Sequence, residues 1–166
     1  MVLSEEKRRW LSDIYERHWP AIRHYCFTYM KNDADADDIV QETFCRLATQ
    51  PIDFIHDKQV RAWLYTTAGN LCKDRLRHWS RKTAPLDDDS SLRSNETLDI
   101  ETKLDLYDAT MKLPLKYREV IFLYYYGFFS QREIAAQLAL PESTVHTRLR
   151  RAKQMLEKLI GEGLYD

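Results

Sequence analysis

Arg148, Arg150, Arg151 and Lys153 fall within six consecutive positions of the stretch PESTVHTRLRRAKQML, residues 141–156. Cations at that density suit the phosphates of a nucleic acid, whose neutralisation releases counterions. The residues just upstream are small and polar. Ser143, Thr144 and Thr147 carry hydroxyls that can bond several base edges, His146 sits among them, and an arginine can pair with guanine. Val145, Leu149, Ala152 and Leu156 recur at steps of four, three and four. That spacing predicts a helix with one buried stripe. The stripe turns Ser143, His146, Thr147, Arg150 and Lys153 outward and leaves Arg148 and Arg151 on its flanks. The chemistry on offer is binding, with base edges read near the helix start and phosphates held further along.

The same charges could decorate an ordinary solvated face. The residues upstream weigh against that. SQRE, residues 130–133, is a capping box that starts a short helix with Ile134, Ala135 and Leu138 on its apolar side. The chain turns at Ala139–Leu140 and Pro141 restarts a helix. A short capped helix, a tight turn and a second helix with a polar start form the helix-turn-helix pattern.

A second stretch has the opposite chemistry. In DADDIVQETF, residues 35–44, Asp37, Asp38, Gln41 and Glu42 cluster on one face of a helix. That face repels DNA and complements a basic protein surface, or is merely solvated. Ala36, Ile39, Val40, Phe44 and Leu47 have helical spacing, with Asp33 or Asp35 as the expected cap. A third stretch, VRAWLYTTAGNLCKDRLRHWSRK, residues 60–82, sets Leu64, Ala68, Leu71, Cys72 and Leu76 on one face. Arg61, Tyr65, Asn70, Lys73, Arg77 and Arg81 are expected elsewhere. Rings beside cations are what a single-stranded nucleic acid binds; Trp63 and Trp79 could equally be core.

These stretches need helices to position them, and the composition supplies helices. Only 4 Gly and 5 Pro occur in 166 residues, and no long alternation suggests a sheet. Residues 5–30 form a broad apolar stripe that Pro20 is expected to bend or divide. A helix from Pro114 is expected to run to Tyr126 and stop at Gly127 in the left-handed conformation. YYYGFF, residues 124–129, reads as core or as an apolar surface for a partner. Net charge is −1 but unevenly spread: 14 Lys/Arg against 12 Asp/Glu in residues 1–83, 3 against 8 in 84–112, and 8 against 6 in 113–166. The acidic stretch APLDDDSSLRSNETLDIET has too little apolar surface to order itself, so 84–98 reads as a flexible linker. Leu98 to Met111 permits a further helix. Cys26, Cys45 and Cys72 form no CxxC pair and read as reduced, buried thiols. No Gly-rich phosphate loop, nucleophile–base pair or metal cluster is visible, so no enzyme activity and no cofactor is expected. The absence of a signal-like start or a membrane span suggests a cytoplasmic protein.

ADADDIVQETFCRL, RAWLYTTAGNLCKDRLR and residues 113–159, LPLKYREV through EKL, resemble the conserved segments of bacterial RNA polymerase sigma factors, of the compact extracytoplasmic-function type. They occur in the family's order and spacing over most of the chain. The resemblance implies an all-α fold: an N-terminal domain over 1–83, the flexible acidic linker 84–98, and a C-terminal domain over 99–166 with the helix-turn-helix. It implies a subunit that binds core polymerase and directs promoter recognition and opening. Asp37, Asp38, Ile39, Gln41, Glu42 and Phe44 would grip the polymerase clamp helices, and the polymerase flap is a second contact. Phe54, His56, Lys58, Arg61, Trp63, Tyr65, Asn70, Lys73, Asp74 and Arg77 would read the melted −10 element. Ser143, Thr144, His146, Thr147, Arg148, Arg150 and Arg151 would read the duplex −35 element. The linker would thread towards the RNA exit path, and an inhibitory anti-sigma factor is implied. The recognition-helix start departs from the family's Ser-x-Gly-Thr-Val: Pro141 replaces the capping hydroxyl, Ser143 replaces Gly, and His146 stands where Lys or Arg is common. Two rivals predict different behaviour. A helix-turn-helix regulator would bind its operator unaided, and a helical adaptor would bind protein only.

Overall fold

The computed structural model describes residues 3–50, 56–82 and 106–161, and these residues form an all-α protein. Contacts divide the chain into two units, Met1–Trp79 and Ser80–Asp166. The linker expected over 84–98 and the start of the helix expected from Leu98 lie outside the described residues.

The first unit contains α1 (Glu5–Met30), α2 (Asp33–Thr49) and all but the last three residues of α3 (Asp57–Lys82). Ser4 caps α1, its hydroxyl accepting from the Lys7 N–H at 3.2 Å. Pro20 does not divide this helix, which runs unbroken through it. The missing N–H costs one bond, to the carbonyl of Glu16, and both residues are exposed, so solvent can serve that carbonyl. Ile14 and His18 before the proline, and Ile22, Tyr25, Cys26 and Tyr29 after it, are all buried and hold the two halves in line.

Lys31, left-handed at φ 53°, ends α1. Asn32 starts α2, its side chain accepting from the Asp35 N–H at 3.0 Å. The cap is therefore Asn32 and not Asp33 or Asp35, which lie inside the first turn and complement the helix dipole. Arg23 ties the hairpin across the turn. Its Nε donates to Asp37 at 2.7 Å and its Nη2 to Asp33 at 2.8 Å.

α3 packs on α1 through aromatic rings. Tyr25 meets Tyr65 edge-on at 5.1 Å and Tyr29 edge-on at 5.2 Å, and the Tyr25 and Tyr29 hydroxyls are 2.8 Å apart. Gly69 makes room for this cluster, since a Cβ there would stand 3.1 Å from the Tyr25 hydroxyl. Cys26 and Cys72 are buried as expected, but Cys45 is exposed. A hydrogen bond with Cys72 and burial both push the Cys26 thiol far up, which keeps it protonated and unreactive.

The second unit contains α4 (Leu106–Met111), α5 (Leu115–Ile121), α6 (Gln131–Leu138) and α7 (Glu142–Ile160). A π-helical turn, Phe122–Tyr126, continues α5. The chain then reverses at Phe128, φ 58°, and not at Gly127, which is right-handed at φ −83°. Gly127 is needed for space: a Cβ would lie 2.7 Å from the Leu123 carbonyl and 2.8 Å from the Phe129 ring. The aromatic run is divided: Phe129 is core, as are Phe122 and Leu123 just before the run, while Tyr125, Tyr126 and Phe128 are exposed.

Ser130 caps α6 as the sequence predicts, accepting from the Glu133 N–H at 3.1 Å. Ala139 closes it at φ 54°, and the Leu140 N–H returns to the Ala135 carbonyl at 3.0 Å. Pro141 begins α7 without a side-chain cap. Val145, Leu149, Ala152 and Leu156 are all buried, so the predicted stripe is the one that packs.

Gly127→Ala forces a methyl into occupied space. The substitution should destabilise the protein by about 1–3 kcal/mol, the usual range for overpacking. Urea unfolding followed by circular dichroism reads this directly, and an unchanged midpoint would contradict the packing described.

Candidate functional site

Three helix surfaces carry the chemistry foreseen in the sequence. On α2, burial of Ala36, Ile39, Val40, Thr43 and Leu47 leaves Asp37, Asp38, Gln41 and Glu42 outside. Ile39 is 2% exposed, so it belongs to the core and not to the surface assigned to it. Its side chain anchors the helix that presents the acids. Phe44 is half-buried, with its ring edge-on to Tyr15 at 4.9 Å; Tyr15 in turn stacks on Trp19 at 6.2 Å. Tyr15 and Trp19 are exposed aromatics that the sequence reading left in the apolar stripe or passed over.

The acids are not bare. Asp37 accepts from Arg23, Glu42 pairs with Arg46 at 3.0 Å, and Arg75 of α3 lies 3.6 Å from Asp35 and 3.8 Å from Asp38. The Arg46 pair has the local i, i+4 spacing visible in a sequence. The Arg23 and Arg75 pairs join different helices and leave no local signal. Asp38, Gln41, Glu42 and Cys45 of α2 and Leu71, Asp74, Arg75 and His78 of α3 line an open groove of about 600 Å³.

α3 presents a mixed surface. His56, Lys58, Asn70, Asp74 and Arg77 are exposed, and Arg61, Trp63 and Lys73 are half-buried. Asp74 and Arg77 pair with each other. Phe54 lies outside the described residues. Tyr65 is a correction. It is 2% exposed against Tyr25, and burial pushes its phenol up to about 12. Its position falls between the apolar face and the basic one, and the ring turns inward to pack edge-on against Tyr25.

The start of α3 is pinned to α1. Asp57 accepts from Arg17 at 2.6 Å and lies 2.9 Å from Nε2 of the buried His18. Partial burial pushes the Asp57 carboxyl up, but the bonds to His18 and Arg17 outweigh it and hold it below the ordinary value of 3.8.

On α7, Ser143, His146, Arg150 and Arg151 are exposed, and Thr144 and Thr147 are half-buried. Thr147 donates its hydroxyl proton to the Ser143 carbonyl at 3.0 Å, leaving its oxygen as an acceptor. His146 Nδ1 lies 3.2 Å from Oε1 of Gln131, joining α7 to the start of α6. Arg148 turns towards α5, where Glu119 lies 3.9 Å away. Lys153 sits over the rings of Tyr124 and Tyr125 at 5.5 and 5.7 Å. Among the described residues no cluster could hold a metal ion, and no helix is long and apolar enough to cross a membrane.

Residues 14–82 match the model of sigma-70 region 2, and residues 103–156 match that of sigma-70 region 4. The chain is 32% identical to the ECF RNA polymerase sigma factor SigL of Mycobacterium tuberculosis over 156 residues, covering 90% of this chain and 88% of SigL. It is 30% identical to SigW of Bacillus subtilis over 162 residues, covering 89% and 87% of the two chains. The fold resembles that of the sigma factor RpoE from Bartonella quintana, solved with the anti-sigma factor NepR: TM-score 0.67, 21% identity, 94% of this chain and 97% of that one. It also resembles CnrH, solved with the cytosolic domain of CnrY: TM-score 0.60, 28% identity, 94% and 90% covered.

The pairing of Asp57 makes acid stability a test of how α3 is seated. A carboxyl with a lowered folded pKa contributes stability above its unfolded value, near 3.8, and loses that contribution as pH falls further. Asp57→Asn should lower stability at pH 7 and make its further loss below about pH 4 shallower. Urea midpoints at pH 7 and pH 3.5 for both proteins check this; parallel losses would contradict it.

Proposed function

We propose a division of labour among helix faces for a chain that belongs to the extracytoplasmic-function RNA polymerase sigma factors, which bind core polymerase and direct transcription initiation. The observation that carries it is the opposite charge of two exposed faces. Asp37, Asp38, Gln41 and Glu42 stand out from α2, and Arg150 and Arg151 stand out from α7.

The acidic face of α2, with Phe44 at its edge, docks on a basic helical surface of core polymerase. Arg23, Arg46 and Arg75 are in the way only weakly. Asp37, Asp38 and Glu42 keep 55%, 67% and 51% of their side-chain surface exposed. Ion pairs so exposed contribute little, so a partner's cations can replace them at small cost. The surface of α3 from His56 to Arg77 receives the melted −10 strand, with Trp63 as a stacking ring and Arg61, Lys73 and Arg77 facing the backbone. Extruding a base costs a few kcal/mol. Stacking at roughly 1–3 kcal/mol per base can offset that. The start of α7 enters the major groove of the −35 duplex. Ser143, Thr144, His146 and Thr147 meet base edges there, and Arg150 and Arg151 meet phosphates.

The two readers occupy separate domains, 1–83 and 99–166, joined through an acidic linker over 84–98. The protein acts in the cytoplasm as a specificity subunit and does no chemistry of its own; the catalytic centre is the polymerase's. The polymerase flap is its second contact, on the C-terminal domain. An anti-sigma factor holds it inactive by covering these faces, by analogy with the partnered relatives.

Asp38→Arg with Glu42→Arg reverses the centre of the acidic face without touching the core. Pull-down of core polymerase should be abolished while the circular dichroism spectrum stays unchanged; undiminished capture would remove α2 from the interface. Thr147→Ala should alter the preferred −35 bases in a holoenzyme binding selection. A uniform loss over all sequences would mean that Thr147 does not face the bases.

A further inference from the structure

Arg148 belongs by sequence to the basic row of α7, yet it does not stand with the others. Arg150 and Arg151 are exposed, whereas the Arg148 side chain is 25% exposed and its Nη1 lies 3.9 Å from Oε1 of Glu119. Glu119 comes from α5 and is 5% exposed. A carboxylate that far from water is costly unless a cation or hydrogen bonds compensate it. Arg118, next to Glu119 in the chain, donates from Nη1 to the Leu113 carbonyl at 2.9 Å and to that of Met111 at 3.2 Å.

We propose that Arg148 is a positioning residue of the −35 reader, locked to Glu119, and makes no phosphate contact. The pair joins the recognition helix to α5 one turn beyond Thr144 and one residue beyond Thr147. Val145 and Leu149 are buried and set which face of the helix turns to the core. A charged contact at the flank of the stripe fixes the roll in one place. That roll decides which of Ser143, His146 and Thr147 meets which base edge. Arg148 therefore acts on sequence preference through the others, while Arg150 and Arg151 hold the backbone.

This rests on α7 being the −35 reader, and salt dependence separates the two claims. The experiment uses full-length protein assembled with core polymerase. Promoter affinity is measured against salt concentration, and against a set of −35 variants, for Arg150→Ala, Arg148→Ala, Arg148→Lys and Glu119→Gln. Arg150→Ala should reduce the salt slope by about one, as loss of a phosphate contact does; an unchanged slope there would sink the −35 assignment itself. Arg148→Ala should leave the slope unaltered and narrow the affinity ratio between best and worst −35 sequences several-fold. Glu119→Gln should narrow it too, although Gln keeps the shape and no residue of α7 is substituted. Arg148→Lys, which keeps the charge, should restore part of the ratio. A slope reduced by about one in Arg148→Ala overturns the proposal. So does an unchanged ratio in Glu119→Gln, whose near-isosteric change keeps the test valid if Arg148→Ala misfolds.

Discussion

Each functional helix of this protein has a single apolar stripe committed to its own unit, and that commitment determines what the helix can show. On α7, burial of Val145, Leu149, Ala152 and Leu156 leaves one direction outward, and Ser143, Arg150 and Arg151 take it. On α2, burial of Ala36, Ile39, Val40 and Leu47 does the same for Asp38 and Glu42. The reading surfaces need no structure of their own. They are the complements of the cores, and a helix rotated by one residue would lose both at once.

In the division of labour proposed here, charge decides which partner each surface accepts. A net charge of −1 makes the whole chain a poor ligand for nucleic acid. Local charge differs. The acids of α2 are screened by Arg23, Arg46 and Arg75, in exposed pairs that exchange readily. The basic residues of α7 are divided between roles: Arg148 faces Glu119, Lys153 lies over two tyrosine rings, and Arg150 and Arg151 remain outward. Two outward arginines favour contact with duplex DNA but are a small electrostatic contribution by themselves. On this account the protein depends on polymerase to bring it to the promoter.

Much of this was legible in the residues. Periodicity located the α7 stripe, the capping box located the start of α6, and the acidic and basic faces followed from spacing alone. What escaped was in part local and in part dependent on partners distant in the chain. Tyr65 turned inward because its ring packs edge-on against Tyr25 of α1, and nothing near position 65 reports that. Ile39 was counted with the polymerase face, although its own helical spacing already put it in the stripe. Pro20 sits in an unbroken helix because tertiary packing on both sides outweighs one lost bond. The reversal after the π-helical turn fell on Phe128, since Gly127 was required for closeness to Leu123 and Phe129. Asn32 outcompeted the aspartates as a cap because it stands at the position just before the first turn. Arg148 looked like its neighbours until Glu119 was in place.

The dependence on polymerase is tested most directly by electrophoretic mobility shift of a promoter fragment with the purified protein, in the presence and absence of core enzyme. The account predicts no specific shift with the protein alone at physiological salt, and a sequence-specific complex once core enzyme is added. Tight, specific binding by the protein alone, unaltered by core enzyme, would contradict it.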